Sequence, residues 1–487
     1  MRRLSATWAG AEQPTDGTTL DQLAAEGRPR HDDPILLDDA SALTAGELDR
    51  AVAGLAGALR VGGVDRGDTV AWQSANRWEA VALFRACWRL GAVAAPLHHQ
   101  LGPTEVGGIL AALDPARVVD PDQVASMARS GPPVAETAAA PSDLAVVLHT
   151  SGSTGGPKGV LHTHASLAYK ARLMAEVHGL HGDDTVLMPA PLAHISGLLN
   201  AVLLPAATGM RAVLMARWDP ERALGLMEHH RVTFMIGPPT FFVALADAPG
   251  FAPARVASIR LISSGGAGVT PAFVADTARR FDTIVKRTYG STEAPTVTTS
   301  HADDDPVRAR ETDGRPTGAI RIRLGPDDEL WVRGPELFVG YTDPARTAEV
   351  VTDDGWFRTG DVGRIDPDGW LTIVGRIKDL IIRAGENIAA AEVEAVLEAH
   401  PDVSHAAVVG RPHSRLGEQV CAFVVCRPGR SLDLDSCRAW FEEQGVARFK
   451  TPEVLVVLDE LPVLAAGKVD RAELRRRATG AEVGRTE

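Results

Sequence analysis

The sequence predicts an α/β protein with a β-rich stretch and a separate, mixed C-terminal unit. Three observations predict it. Apolar runs of strand length alternate with helical patterns through most of the chain, and several of those runs end in Gly-rich turns. After about residue 315 the pattern shifts to short strands. From about residue 379 a compact mixture of strands and helices begins, roughly 110 residues long, which is an ordinary size for a domain.

The elements follow in order. Thr69-Val70-Ala71-Trp72 reads as a strand, Glu79 to Arg89 as a helix, and Gly91-Ala92-Val93 as the entry to another strand. Leu144-Ala145-Val146-Val147-Leu148 is an apolar run suited to a buried strand. Arg260-Leu261-Ile262 leads into Ser263-Ser264-Gly265-Gly266-Ala267, and Ile284-Val285-Lys286-Arg287 into Tyr289-Gly290-Ser291-Thr292-Glu293. Strands ending in such turns place binding sites at their C-terminal ends. Glu329 to Val332 and Trp370 to Val374 are the short strands of the β-rich stretch. The last unit reads as strand (Leu380 to Arg383), helix (Ala391 to His400), strands (Ala406 to Val409, Ala422 to Val425), helix (Asp435 to Gln444) and strand (Val454 to Leu458). The nearest approach to a low-complexity linker is Gly131 to Pro141.

At 487 residues the chain is too long for a single core, so two or three domains are expected. The formal net charge of −13 argues against a nucleic-acid or anionic-membrane partner as the main role. Cys87, Cys421, Cys426 and Cys437 have no zinc-site or disulfide spacing, and a reducing, cytoplasmic setting fits them. No signal peptide is expected in MRRLSATWAG. The most apolar stretch, Leu198 to Met215, is interrupted by Pro205 and Arg211 and is not expected to span a membrane. Lys occurs only six times against 44 Arg, at 158, 170, 286, 378, 450 and 468, and Tyr only at 169, 289 and 341. Where Arg is the default cation, a retained Lys suggests a need for a compact ammonium.

Residues Thr150 to Val160, TSGSTGGPKGV, carry the strongest chemical signal. Four glycines let backbone approach a ligand, Ser151, Ser153 and Thr154 offer hydroxyls, and Lys158 a cation. That is the donor set of a polyphosphate cradle. It is not the P-loop of nucleoside triphosphatases, because Pro157 stands where that motif has its second Gly. Alone, such a loop is more often an ordinary Gly/Ser surface turn.

Six further segments remove that ambiguity: PLAHISG (Pro191 to Gly197), SSGGA (Ser263 to Ala267), YGSTE (Tyr289 to Glu293), GWFRTGD (Gly355 to Asp361), GRIKDLIIRAGENI (Gly375 to Ile388) and PVLAAGKVDR (Pro462 to Arg471). In this order they resemble the adenylate-forming superfamily of acyl-CoA synthetases, adenylation domains and beetle luciferases. The resemblance runs from about Leu20 to Arg471. It implies a large N-terminal domain of stacked α/β sheets over residues 1–376, with a barrel-like β-rich subdomain at about 315–376. A hinge at 377–378 and a small mobile C-terminal domain over 379–487 would complete the chain.

The implied reaction has two steps: a carboxylate attacks the α-phosphorus of ATP, releasing pyrophosphate, and the thiol of coenzyme A then displaces AMP. By resemblance, Lys468 bridges the carboxylate and the α-phosphate. Thr150, Ser151, Gly152, Ser153, Thr154 and Lys158 hold phosphates. Glu293 is the Mg²⁺ ligand, and one carboxylate suffices for a hard cation that arrives on ATP. Thr292 donates to the α-phosphate. Tyr289 stacks on adenine, with Gly265, Gly266 and Ala267 along the other side, and Gly290 and Ser291 complete that turn. Asp361 and Arg376 meet the ribose. Lys378 is the hinge residue, and Gly385 lets the phosphopantetheine arm pass. His194 edges the acyl pocket, with Phe241, Phe242 and Ser264 near it; a structural histidine is the other reading of His194. His162 and His164 read as non-metal.

The expected activity is therefore an AMP-forming carboxylate–CoA ligase using ATP, Mg²⁺ and coenzyme A. Its acid would be a medium-chain, alicyclic or aromatic monocarboxylate, in the manner of short/medium-chain or cyclohexanecarboxylate ligases. Loading of a separate carrier protein, or an inactive nucleotide-binding relative, are the rival readings. No carrier domain is expected after residue 471, and homodimerisation is left open.

Overall fold

The computed structural model describes residues 3–8, 10–15, 17–29, 32–135, 137–150, 157–266, 268–301, 304–384, 386–463 and 469–480, with the side chains of Asn387 and Gly480 excepted. Ser151, Gly152, Ser153, Thr154, Ala267, Gly385 and Lys468 lie outside the described residues.

Among the described residues, two largely parallel sheets build the N-terminal part. One has five strands in the order Arg117–Val118, Thr69–Ser74, Val93–His98, Leu144–Thr150 and Lys158–Thr163. Its last strand turns back antiparallel on Leu144–Thr150. The other has nine strands, whose parallel centre runs Pro34–Leu37, Arg211–Leu214, Thr185–Met188, Phe234–Gly237, Leu261–Gly265, Ile284–Tyr289. Antiparallel strands close both of its edges.

The helix Trp78–Leu90 shows why the two sheets share one core. Eleven of its thirteen residues are buried, among them Arg89, whose charge is met by Asp21 at 3.0 Å. Phe84 and Trp88 pack in a cluster that draws on both sheets, with Trp72 on one and Phe234 on the other. Each such side chain contributes about 1.5–3 kcal/mol on burial. Gly91, left-handed at φ 69°, ends the helix with its N–H donating to the Cys87 and Trp88 carbonyls.

The β-rich stretch is an antiparallel sheet of Arg321–Leu324, Glu329–Arg333, Phe357–Ile365 and Leu371–Arg376. A fully buried ion pair ties it to the α/β part. Lys170, on the helix His164–His178, donates to Glu336 Oε1 at 3.3 Å, to the Thr296 carbonyl at 2.8 Å and to Thr317 Oγ1 at 3.2 Å.

A single turn, Ile377–Asp379, leads to a second five-stranded sheet. Its long hairpin, Val403–His413 with Gly417–Cys426, alternates between two faces beyond a register shift at Val403 to His405. Ala406, Val408, Ala422 and Val424 face the helices Ala390–Glu398 and Leu434–Glu443. Ala407, Val409, Cys421 and Phe423 face the helix Arg471–Gly480. The sequence reading found these strands but shortened them, because their outer ends are polar (Arg411, Glu418, Gln419) and still pair. It missed Arg471–Gly480, whose buried stripe is only Leu474 and Ala478. The ion pair Arg364–Glu392, at 2.8 Å, crosses from the β-rich sheet to this unit.

No helix among the described residues is long and apolar enough to cross a membrane. The stretch Leu198 to Met215 is divided among a helix end, a π-helical turn (Leu199–Leu203), a short helix (Leu204–Thr208) and the strand Arg211–Leu214.

Candidate active site

The C-terminal ends of Leu144–Thr150, Leu261–Gly265 and Ile284–Tyr289 carry the predicted site segments. Thr150 pairs with Lys158 in the hairpin of Leu144–Thr150 and Lys158–Thr163, the two antiparallel strands that flank the Gly-rich segment in sequence. The segment after the β-rich sheet's second strand docks on the outer side of that hairpin. Leu161 N donates to Gly340 O at 3.0 Å, Val339 N to Leu161 O at 2.8 Å, and Thr342 N to Gly159 O at 2.8 Å.

That docking delivers Tyr341 between Lys158 and Glu293. Its hydroxyl donates to Glu293 Oε1 at 2.7 Å, and Lys158 Nζ stands 5.2 Å from its ring centre. Burial first, and then the Glu293 carboxylate, push the phenol well above its usual range, so it keeps its proton. Glu293 suits a hard divalent cation. No group of three His, Cys, Asp or Glu among the described residues could hold one, so the other ligands would come from phosphate oxygens and water.

Just before Glu293, Thr292 is buried and its carbonyl accepts from His162 Nε2 at 2.8 Å. Burial pulls His162 down to about 4. It is therefore a neutral imidazole with its proton on Nε2, used to fix the Thr292 backbone. His164 accepts from Leu20 N through Nδ1 at 3.3 Å. Both residues have structural work. Gly290 and Ser291 enter a tight turn in which Ser291 N donates to Ala294 O at 2.9 Å and Ala294 N to Ser291 Oγ at 3.1 Å.

A second group gathers where the β-rich sheet meets the strand Ile284–Tyr289. Tyr289 Oη donates to Asp361 Oδ2 at 2.6 Å, and Arg376 Nε is 2.9 Å from Asp361 Oδ1. Asp361 and Arg376 are direct partners across antiparallel strands. Burial and then Asp361 hold the Tyr289 phenol far above its ordinary value. Gly265 lies against Thr288, whose carbonyl would be 2.2 Å from an added Cβ, and Gly266 has φ +77°. Both features demand glycine and leave bare backbone beside Tyr289. Lys378 sits in the Ile377–Asp379 turn, where burial and then Arg376 lower its pKa.

His194 precedes the helix Ile195–Leu198, and its ring stands 6.5 Å from that of His98, edge-on. His98 in turn stacks on His99 at 4.8 Å. His98 Nδ1 accepts from Gln100 N at 3.1 Å, and burial lowers both His98 and His99. Phe241 stacks on Trp218 at 4.4 Å. Ser264 Oγ donates to Gly237 O at 3.1 Å. Phe242 is completely enclosed, with Phe273 as its aromatic neighbour at 6.3 Å. Sequence reasoning missed His98, His99 and Trp218. The His-His doublet at a strand end was the one signal for the first two. Tyr341 was marked only by the scarcity of tyrosine.

The sequence profile of AMP-binding enzymes matches residues 22–342, and that of the AMP-binding enzyme C-terminal domain matches residues 392–468. The chain belongs to the AMP-binding enzyme family. A medium-chain fatty-acid–CoA ligase of Escherichia coli K12 is 31% identical to this AMP-binding enzyme, over 95% of the chain and 90% of the relative. A feruloyl-CoA synthase of an Amycolatopsis species is 35% identical, over 90% and 94%. Among solved structures, ATP-bound MatB of Rhodopseudomonas palustris superposes with a TM-score of 0.83 at 29% identity, covering 95% of this chain and 99% of that one. The stacked α/β fold with its small C-terminal domain is shared with these enzymes.

Proposed function

We propose that this AMP-binding enzyme is an AMP-forming acyl-CoA synthetase, which joins a carboxylic acid to AMP with loss of pyrophosphate and then passes the acyl group to coenzyme A. The observation that carries this reading is the pair of charged groups built on the two ends of one short segment, Tyr289 to Glu293. Lys158, Tyr341 and Glu293 make an end suited to polyphosphate and a divalent cation. Tyr289, Asp361 and Arg376 make an end suited to a nucleoside. A bound Mg²⁺ would neutralise phosphate charge. Lys158 would add a cation to the same phosphates, where positive charge counts most as two anions approach. The Asp361 carboxylate would accept from ribose hydroxyls, with Arg376 beside it as donor. Tyr289 and the bare Gly265–Gly266 backbone would border the base.

The reading gives Lys468 the task of meeting the carboxylate and α-phosphate together, Gly385 the thiol's path, and the 377–378 segment the hinge between residues 1–376 and 379–487. The acid is a medium-chain, alicyclic or aromatic monocarboxylate. The apolar slab of Phe241 and Trp218, and the fatty and aryl acids named for the relatives, support that class. His194 would stand at the edge of this pocket.

Incubation with ATP, Mg²⁺ and a panel of such acids tests the proposal. Pyrophosphate release that depends on the acid, with AMP release that also needs coenzyme A, is the expected result. AMP release indifferent to coenzyme A would favour transfer to a carrier protein. No release with any acid would favour an inactive relative.

A further inference from the structure

Glu293 is tethered at two points by one short segment. Its backbone carbonyl accepts from Phe338 N at 2.8 Å, and its carboxylate accepts from Tyr341 Oη at 2.7 Å. The tether is itself rigid. Tyr341 is 2% exposed. Its N–H donates to Thr347 Oγ1 at 2.9 Å and its carbonyl accepts from Thr7 Oγ1 at 2.8 Å. Its ring packs edge-on against Phe338, with centres 5.0 Å apart. It also forms an antiparallel bridge with Val160, two residues beyond Lys158 on the phosphate hairpin.

A buried phenol that only filled space would leave its hydroxyl unpartnered or turned to backbone. Here the hydroxyl meets a carboxylate and the ring face meets an ammonium. A carboxylate held through one oxygen has lost the freedom to rotate, which is the ordering that metal capture otherwise requires. The cation over the ring is at a distance typical of a cation–π contact.

Resting on the functional reading above, we propose that Tyr341 is the positioning residue for metal–nucleotide binding. Its hydroxyl orients Glu293 toward the ATP-borne cation, and its ring holds Lys158 in register with the same phosphates. One side chain thereby couples the metal ligand to the phosphate cation.

The test is direct binding in the full-length protein, without acid or coenzyme A, using ATP with Mn²⁺ as the probe and electron paramagnetic resonance as the readout. Tyr341→Phe keeps the ring and deletes the hydroxyl. It should weaken Mn²⁺ binding in the presence of ATP by about tenfold, the order expected for loss of a charge-assisted hydrogen bond. ATP binding in EDTA, which reports the Lys158 side, should stay at the wild-type value. Tyr341→Leu should weaken both. In the Glu293→Gln background, Tyr341→Phe should add nothing, because the group it positions is gone. Unchanged Mn²⁺ affinity in Tyr341→Phe overturns the proposal, as does an equal and additive loss in the Glu293→Gln background. Thermal melting without ligands separates a folding defect, since a purely structural role would lower the melting temperature and spare the metal selectivity. Failure of the wild-type protein to bind ATP with Mn²⁺ at all would remove the functional reading itself, an outcome distinct from the others.

Discussion

Asp361 answers two residues at once: Tyr289 Oη at 2.6 Å on one oxygen and Arg376 Nε at 2.9 Å on the other. The Arg376 partnership is set by strand register and the Tyr289 one by the packing of two sheets. Asp361→Ala would do more than delete the proposed ribose acceptor, because it would also free Arg376 and leave the Tyr289 hydroxyl unpaired. The KM for ATP should rise by about tenfold or more. The KM for the acid should change little. Steady-state kinetics with each substrate varied in turn provides the check.

Lys170 and Glu336 are both completely buried and face each other at 3.3 Å. Burial lowers the lysine and raises the glutamate, while each opposes the shift of the other. Removing one partner strands a charge. Lys170→Met should cost about 3–5 kcal/mol, and Lys170→Met with Glu336→Leu should recover most of it. Urea midpoints of the three proteins measure this.

Glu398 lies on the helix Ala390–Glu398, with Glu394 and Thr270 near it. Burial, and then Glu394, raise its carboxyl from 4.5 to about 7. The folded state thus binds a proton that the unfolded chain has released between these values. The stability this group contributes is intact below about 4.5 and is lost as pH climbs through about 7. Melting temperature followed from pH 5 to 8 should fall more steeply for wild type than for Glu398→Gln. Parallel curves would remove Glu398 from the account.

Lys468 is assigned to one half-reaction only. Lys468→Ala should abolish adenylate formation yet spare thioester formation from supplied acyl-adenylate and coenzyme A. Comparable loss in both half-reactions would contradict a lysine that serves only the first.

Much of the fold was legible because its central strands are buried on both faces, so that Leu144–Thr150 opens with five apolar residues in a row and Leu261–Gly265 is known by the Gly-rich turn it runs into. What escaped was polar or long-range. Arg471–Gly480 has only two buried apolar positions, Leu474 and Ala478, and no periodic signal. In the site, the motif residues Lys158, Tyr289, Glu293, Asp361 and Arg376 were all visible. Their mutual contacts were not, since Tyr341 reaches Glu293 from 48 residues away and Asp361 reaches Tyr289 from 72. Scarcity proved a useful guide with a double meaning. Lys170 and Lys286 are retained inside the core, the first for Glu336 and the second donating to the Val177 carbonyl at 3.1 Å. Lys450 pairs with Glu392 at 2.6 Å. At these three positions the rare ammonium answers a structural need.

The central claim is that a carboxylate and ATP react reversibly at this site before any thiol takes part. Acid-dependent exchange of labelled pyrophosphate into ATP, measured without coenzyme A, tests it most directly. Exchange that rises with a medium-chain, alicyclic or aromatic acid and vanishes in Glu293→Ala is the predicted result. No exchange with any acid, from a folded protein that binds ATP, would contradict it.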